Sequence, residues 1–353
     1  MGRMVWGSSE SGLVDELAAA ARVAGGAGAP RVLAARADAT VVRVGAWVAK
    51  AHPRETDEAA LRVRLRLASH PWLREIVAVP NTTAVARRYD DRLITVWPFG
   101  ETVDPDDPDA APWEEAAALL ARLHALPIPP EHRVNCATHP LDPLPAAGGP
   151  ARVRRAMNRL EAAKDAVDAA AGAVVRRAFA GLPKSTAGLP EFASGLPEFA
   201  SGLSESAVGP SEITAGLPAA PRRRLLVHGD FHLGQLIRLP DVAENPWRLV
   251  DIDDIGRGDP AWDLARPAAF YAAGILEPVA WERFLGAYRR AGGPAVPADG
   301  DPWPALELPA RAVVIQAAAL AVAAAGLAGR ALDDIDTALV DACRRISAQT
   351  ITS

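Results

Sequence analysis

Two cysteines, Cys136 and Cys343, are all that 353 residues contain. That excludes a disulfide framework and a cysteine-rich zinc site, and it reads as free thiols in a reducing cytoplasm. His, Cys and Glu show no zinc-ligand spacing either. Excess basic charge is also missing. Lys and Arg number 38 against 43 Asp and Glu, a formal net charge of −5, which excludes a strongly basic nucleic-acid binder. The N-terminal stretch MGRMVWGSSESGLVDELAAAARVAGG puts Ser and acids where a signal peptide needs an apolar core. The longest apolar run, Ala310–Ala328, is broken by Arg311, Gln316 and Gly326. It therefore reads as a buried helix and not as a membrane span. The expectation is a soluble cytoplasmic protein with neither a nucleic-acid nor a membrane partner; its oligomeric state is left open.

What is present is a chain 50% hydrophobic and 23% charged, too apolar for disorder. Its length suggests two domains or one bilobal unit. Leu13–Val23 has helical spacing and ends in Gly25, Gly26, Gly28 and Pro30. Three short β-type runs follow, Arg31–Ala37, Thr40–Val44 and Trp47–His52, with turns at Asp38-Ala39 and Gly45-Ala46. They predict an antiparallel meander whose third strand ends with Lys50. A helix over Asp57–Ala68 and strands over Thr83–Tyr89 and Arg92–Trp97 complete a small α+β part, residues 1–100. The remainder, 101–353, is mainly helical, with helices expected over Trp113–Ala125, Arg152–Ala180, Pro260–Ala273, Pro278–Ala291, Ala305–Gly326 and Leu332–Ser347. On Arg152–Ala180 the Arg, Lys and Asp residues are expected on a solvated face. Residues 180–221 repeat with a period of seven, from AGLPKST to AGLPAAP. Gly and Pro in nearly every unit forbid a continuous helix, so this reads as a tandem-duplicated, mobile insertion.

The chemistry-bearing stretch is VHGDFHLGQLIRLPDVAENPWRLVDIDDIGRGDPAWDLA, from Val227 to Ala265. Asp230 and Gln235 share a Gly-containing loop, and Asp251 follows a strand pair 21 residues beyond Asp230. A strand pair of that length can fold Asp251 back beside the loop. Two carboxylates and an amide are hard oxygen donors that suit Mg²⁺ together with phosphates and water.

HGDFHLGQ followed by VDIDDIGRGDPAWDLA resembles the catalytic core of the aminoglycoside phosphotransferase family, relatives of choline kinase and of the protein kinases. The resemblance implies a bilobal, protein-kinase-like α+β fold, with a small antiparallel-β N-lobe and a mainly helical C-lobe. It implies ATP and Mg²⁺ as cofactors and a small-molecule hydroxyl as phosphate acceptor. Asp230 would accept or orient the proton of that hydroxyl. Gln235 and Asp251 would hold the metal, and Lys50 would pair with the α- and β-phosphates. Glu58, or less favourably Glu55, would pair with Lys50. Adenine would meet main-chain groups of Ile94–Glu101, at Thr95 and Trp97. His228 and Gly229 would shape the loop, and Asp263 would brace it through backbone hydrogen bonds. LLARLHAL, Leu119–Leu126, resembles the helix after the hinge between lobes.

Two departures from the family pattern stand out. Gln235 replaces the usual Asn, as in the variant motif of maltokinases and actinobacterial glucosamine kinases. No Gly-rich phosphate loop stands between the first two strands, where Arg36–Thr40 lies instead. The implied acceptor is an aminoglycoside or other sugar-containing antibiotic, for resistance or self-protection. A sugar or amino-sugar kinase, a nucleoside- or peptide-antibiotic kinase and a non-catalytic nucleotide-binding scaffold are the alternatives. Among the other polar residues, His232 and His124 read as structural. Asp253 and Asp254 read as turn residues, contacts for a cationic substrate or extra metal ligands. Asp333, Asp334 and Asp336 read as a solvated helix start.

Overall fold

The computed structural model describes residues 8–35, 39–81, 87–104, 107, 109–127, 144–183 and 224–351. The turn at Asp38, the start of the strand expected from Thr83, Cys136 and all but the first few residues of the heptad segment lie outside them.

Helix α1 (Ser8–Val23) precedes strands β1 (Arg31–Ala35), β2 (Thr40–Val44) and β3 (Trp47–Ala51). Helix α2 (Glu58–Ala68) and strands β4 (Arg87–Tyr89) and β5 (Arg92–Pro98) follow. The five strands form one antiparallel sheet in the order β1-β2-β3-β5-β4. Alternation along a strand fixes what each face does. Val42, Val44, Ala49, Ala51, Ile94 and Val96 are buried against Leu13, Leu17 and Ala21 of α1. Lys50, between two buried alanines, must therefore point to the opposite face, with Thr95 as its register partner on β5. Strand β5 is covered on both sides, because Leu93 and Trp97 join the second, larger core.

That larger core belongs to the helical part. It runs from β6 (Glu101–Thr102) and α3 (Trp113–Ala125) through α4 (Gly149–Ala162) and α5 (Ala169–Ala180). Short strands β7 (Leu225–Val227), β8 (Leu236–Arg238), β9 (Trp247–Leu249) and β10 (Gly256–Gly258) come next. Helices α6 (Ala261–Ala273), α7 (Pro278–Arg290), α8 (Trp303–Leu327) and α9 (Asp334–Ile351) close the chain. Helix α8 packs against α4, α6 and α9. It is the one helix among the described residues long and apolar enough to cross a membrane, and most of it is buried inside the protein. On α9, Cys343 is a buried free thiol whose pKa burial pushes up to about 12, which leaves it inert.

One expected element divides. The helix read over Arg152–Ala180 is two helices, α4 and α5. Asp168 starts the second by accepting a hydrogen bond from Ala171 N at 2.7 Å, a cap that favours a new helix over continuation. Gly326 of α8 fits against the break. A Cβ there would lie 2.7 Å from the Ala166 carbonyl oxygen, so the close approach requires glycine.

Candidate active site

The chain after β7 forms a tight loop held from below. His228 N and Gly229 N donate to the two carboxylate oxygens of Asp263, at 2.6 and 2.8 Å. Asp263 sits in the first turn of α6 and is fully buried. A third donor reaches it from α3, since His124 Nε2 lies 2.9 Å from Oδ2. His124 Nδ1 in turn lies 2.7 Å from the Tyr288 hydroxyl, which accepts from Ala295 N. The tautomer that satisfies every partner has Tyr288 donating to Nδ1 and Nε2–H donating to Asp263. Burial alone would raise the Asp263 pKa; the hydrogen bond from His124, with that from the loop amide, outweighs it and holds the carboxylate below its ordinary value. Gly229 has φ +82°, and a Cβ there would lie 2.3 Å from the Asp254 carbonyl oxygen. Both the backbone conformation and the space therefore demand glycine.

This loop delivers Asp230 to the cleft. Its carboxylate is 9% exposed and takes Arg152 Nη2 at 2.7 Å and Arg266 Nη2 at 3.3 Å. Burial raises its pKa, and the two guanidinium groups offset this only in part. The next residues form a short 3-10 helix, Leu233–Gln235, capped by His232. Val250 N donates to the Gln235 carbonyl oxygen at 2.9 Å, and this main-chain link sets Asp251 beside Gln235. Asp251 has φ +60°, a left-handed conformation uncommon for a residue with a side chain and frequent at functional sites.

Across the cleft, Lys50 Nζ lies 2.7 Å from Asp251 Oδ1 and 2.9 Å from Asp253 Oδ2. Burial alone would lower the Lys50 pKa, but Asp253 and Asp251 outweigh it and hold the ammonium above the ordinary lysine value. Asp253 is held by a second group, His52 Nδ1 at 3.0 Å. His52 Nε2 lies 2.8 Å from the Thr95 hydroxyl, which accepts from Trp97 Nε1 at 2.9 Å. Thr95 and Trp97 are buried in this network. Their side chains brace His52 and Asp253, and neither residue is among those that line the cleft.

Glu58 is not where the resemblance puts it. Its carboxylate faces solvent on α2 and takes Arg62 and Arg88, each at 2.7 Å. The anionic partners of Lys50 come instead from the loop after β9. Asp254, at the end of the short 3-10 turn Ile252–Asp254, is buried. It accepts from Arg152 at 2.7 Å and Arg155 at 3.1 Å, and ties α4 to the loop. Gly148 permits this, since a Cβ there would sit on the Asp254 carboxylate. Arg152 and Arg155, expected on a solvated face, turn toward the cleft. His52, Asp253, Arg152 and Arg266 were not legible as a group, because their partners lie 36 or more residues away.

The cleft has a volume of about 560 Å³ and is lined by Lys50, Thr56, Arg152, Asp230, Gln235 and Asp251, among others. The donor set fits a hard divalent cation. Gln235 Nε2 is 3.3 Å from Asp251 Oδ2, and rotation of the amide by half a turn presents its oxygen instead. No group of three or more His, Cys, Asp or Glu among the described residues is arranged around a metal. Two protein oxygens are the few that Mg²⁺ uses when phosphates and water supply the rest.

His232 gives a pH prediction. Its Nδ1 accepts from Gly234 N at 3.1 Å, which only the neutral ring can do. Burial, with Arg266 and His228 near, lowers its pKa to about 3. The unfolded chain, titrating near about 6.5, takes up a proton first as the pH falls. This contribution to stability is therefore complete above about pH 6.5 and declines below it, by up to ~1.4 kcal/mol per pH unit. Urea titrations at pH 7.5 and 5 should show a loss in the wild type that His232→Asn reduces. An equal loss in both proteins would contradict it.

A family model, "Phosphotransferase enzyme family" (APH), matches residues 22–306. A thermostable mutant of aminoglycoside phosphotransferase APH(4)-Ia superposes with a TM-score of 0.54 at 12% identity, over 94% of this chain and 98% of that one. A choline/ethanolamine kinase family protein from Mesorhizobium loti gives 0.48 at 15% identity, over 98% and 95%. Spectinomycin phosphotransferase APH(9)-Ia, in complex with ADP and spectinomycin, gives 0.48 at 13% identity, over 97% and 98%. No curated protein matches the chain by sequence. The fold is the expected one, an α+β protein-kinase-like structure with an antiparallel β-rich part and a mainly helical part.

Proposed function

The chain belongs to the phosphotransferase enzyme family, and from that membership we propose that this small-molecule kinase moves the γ-phosphate of ATP to an acceptor hydroxyl in the cleft between residues 1–100 and 101–353. One observation carries the reading. Lys50 on β3 and Asp251, 201 residues later, meet at 2.7 Å over a cleft that also presents Asp230 and Gln235.

Each residue has a task that its surroundings support. Lys50 is kept charged by two carboxylates and would exchange one of them for the α- and β-phosphates of the incoming nucleotide. Asp251 and the Gln235 amide oxygen would hold Mg²⁺, which neutralises phosphate charge when bound. Asp230 would orient the acceptor hydroxyl and take its proton as that oxygen bonds to phosphorus and the bond to the ADP oxygen breaks. Its burial raises its proton affinity, while Arg152 and Arg266 keep the ionised form within reach. Transfer of this kind relies on positioning and charge neutralisation, so a modest base suffices. In-line attack inverts the configuration at phosphorus.

The acceptor is read more coarsely. A sugar or sugar-like alcohol fits the family resemblance, and Gln235 favours the sugar-kinase variant of the motif. A polycationic aminoglycoside, for resistance or self-protection, would need carboxylates free to face it. Asp230 and Asp254 instead lie against arginines.

The nucleotide half is tested by Lys50→Ala. Loss of a charge-assisted contact to phosphate should weaken Mg-ADP binding by about 10- to 100-fold in calorimetry. The Asp230→Asn variant, whose change lies away from the phosphates, should bind as the wild type does. Unaltered binding in Lys50→Ala would overturn the assignment of the cleft to the nucleotide.

A further inference from the structure

We propose that the acceptor carries a carboxylate or phosphate group, held by Arg155 and Arg152 of α4 beside the hydroxyl to be phosphorylated. This rests on the kinase reading above and specifies its acceptor.

The cleft has two chemically different walls. On the β3 side Lys50 is matched by Asp251 and Asp253, and this wall is spoken for by nucleotide and metal. The other wall is built by α4, the segment before it and α8. Arg152, Arg155 and Arg159 line it, spaced three and four residues apart and so on one face of the helix. Another face of α4, Val153, Met157 and Leu160, is buried in the core, so the helix is fixed with the three arginines on the cleft side. Two carboxylates, Asp230 and Asp254, face them.

These two carboxylates do not use up the wall's donors. Arg155 reaches Asp254 through Nη2 alone, and its side chain is 54% exposed. Its Nε and Nη1 have no partner among the described residues. Arg152 spends Nη1 on Asp254 and Nη2 on Asp230, and its Nε is buried without an acceptor. Arg266 adds a further guanidinium behind Asp230. The wall is thus over-supplied with fork-shaped donors, the geometry that carboxylates and phosphates match with two parallel hydrogen bonds. The two carboxylates that face α4 are both already paired with arginine; Glu55 and Asp57, between β3 and α2, also line the cleft, and His232 is the one aromatic ring among its described lining residues. The buried amide of Gln316 lines the same wall and can orient a hydroxyl. A polyamine would meet like charge here, whereas an acidic or phosphorylated alcohol meets unfilled donors next to Asp230.

The test uses one carbon skeleton in four charge states. With Mg-ATP, ADP formation is followed against glucose, glucosamine, gluconate and glucose 6-phosphate, and kanamycin is added as a polycation. The proposal predicts that an acidic member exceeds glucosamine and kanamycin by at least about 10-fold in kcat/KM. Gluconate against glucose 6-phosphate tells carboxylate from phosphate. Arg155→Ala should lower that preference about 10-fold through the acceptor KM, with the KM for ATP unchanged. Arg155→Lys should recover part of it. Best turnover with kanamycin or glucosamine would overturn the proposal, as would an Arg155→Ala effect confined to the ATP KM.

A panel without turnover is read by binding. With Mg-ADP present, citrate or inorganic phosphate should raise the melting temperature of the wild type and not of Arg155→Glu. Absence of that rise, with Mg-ADP bound, overturns the anion site and leaves the kinase reading standing. A rise with citrate in a protein that fails to bind Mg-ADP supports the anion site and overturns the kinase reading.

Discussion

Asp230→Asn is expected to lower phosphoryl transfer by about 10²- to 10⁴-fold, the range set by loss of a positioned general base, while Mg-ADP binds as before. The separation follows from where Asp230 sits. Its carboxylate touches Arg152 and Arg266, and Lys50 is held by Asp251 and Asp253. The isosteric amide keeps the volume, and Arg152 retains Asp254 as an ionic partner, so the loop should persist. The wild-type pH profile carries a second signature. Burial raises the Asp230 pKa against the pull of Arg152 and Arg266. The acid limb of kcat/KM should therefore lie above the ordinary aspartate value of about 3.9, because the base is lost as the pH falls through its raised pKa. Arg266→Ala removes one of the groups opposing the rise, so the acid limb should move further up. A limb that stays put, or moves down, would remove Asp230 from the role of base.

Asp263→Ala is expected to have the largest effect on stability. It leaves His228 N, Gly229 N and His124 Nε2 without their acceptor, all of them buried. Breaking a buried, hydrogen-bonded carboxylate network of this kind costs about 3–5 kcal/mol, a fall of about 10 °C in melting temperature for a protein of this size. Activity should fall as well, because the same hydrogen bonds fix the loop that carries Asp230. Tyr288→Phe removes only the outer end of the chain, the hydroxyl that serves His124 and Ala295, and should cost far less. The pH dependence has a definite sign. The folded pKa of Asp263 is depressed, so its stabilisation is full above the unfolded value, about 3.9. It is lost as the pH falls toward the depressed folded value. The gap between wild type and Asp263→Ala, read by urea unfolding, should be widest at neutral pH and narrow below about pH 4. A gap independent of pH would contradict the ionised role given to Asp263.

Local spacing carried much of the fold into the sequence. Ala49, Lys50 and Ala51 alternate as a strand must, and Leu61 and Leu65 mark one face of α2. The bounds of α3 follow directly from Trp113–Ala125. The break between α4 and α5 is marked locally by the Asp168 cap alone, and the helix that packs against it, at Gly326, lies more than 150 residues further on. The site divides in the same way. HGDFHLGQ and VDIDD lie within one short stretch, so Asp230, Gln235 and Asp251 could be read together. The partners of Lys50 could not. Glu58 sits close by in sequence, yet Arg62 and Arg88 claim its carboxylate at the surface. Asp253 reaches Lys50 from 203 residues away, aided by His52. Arg152 looks like any arginine of an amphipathic helix until α4 is packed beside Asp230 and Asp254. Charge on one helix face shows in a sequence, but the wall that face meets does not.

The most direct measurement is phosphorus NMR of Mg-ATP with the wild-type protein and the acceptor panel, to which spectinomycin, choline and maltose are added. The account predicts a new phosphomonoester resonance that grows in step with ADP. It also predicts that the resonance grows at least about 100-fold more slowly with Asp230→Asn, even though that variant still binds Mg-ADP. A phosphomonoester formed by Asp230→Asn at the wild-type rate, or a wild-type protein that does not bind Mg-nucleotide at all, would contradict it.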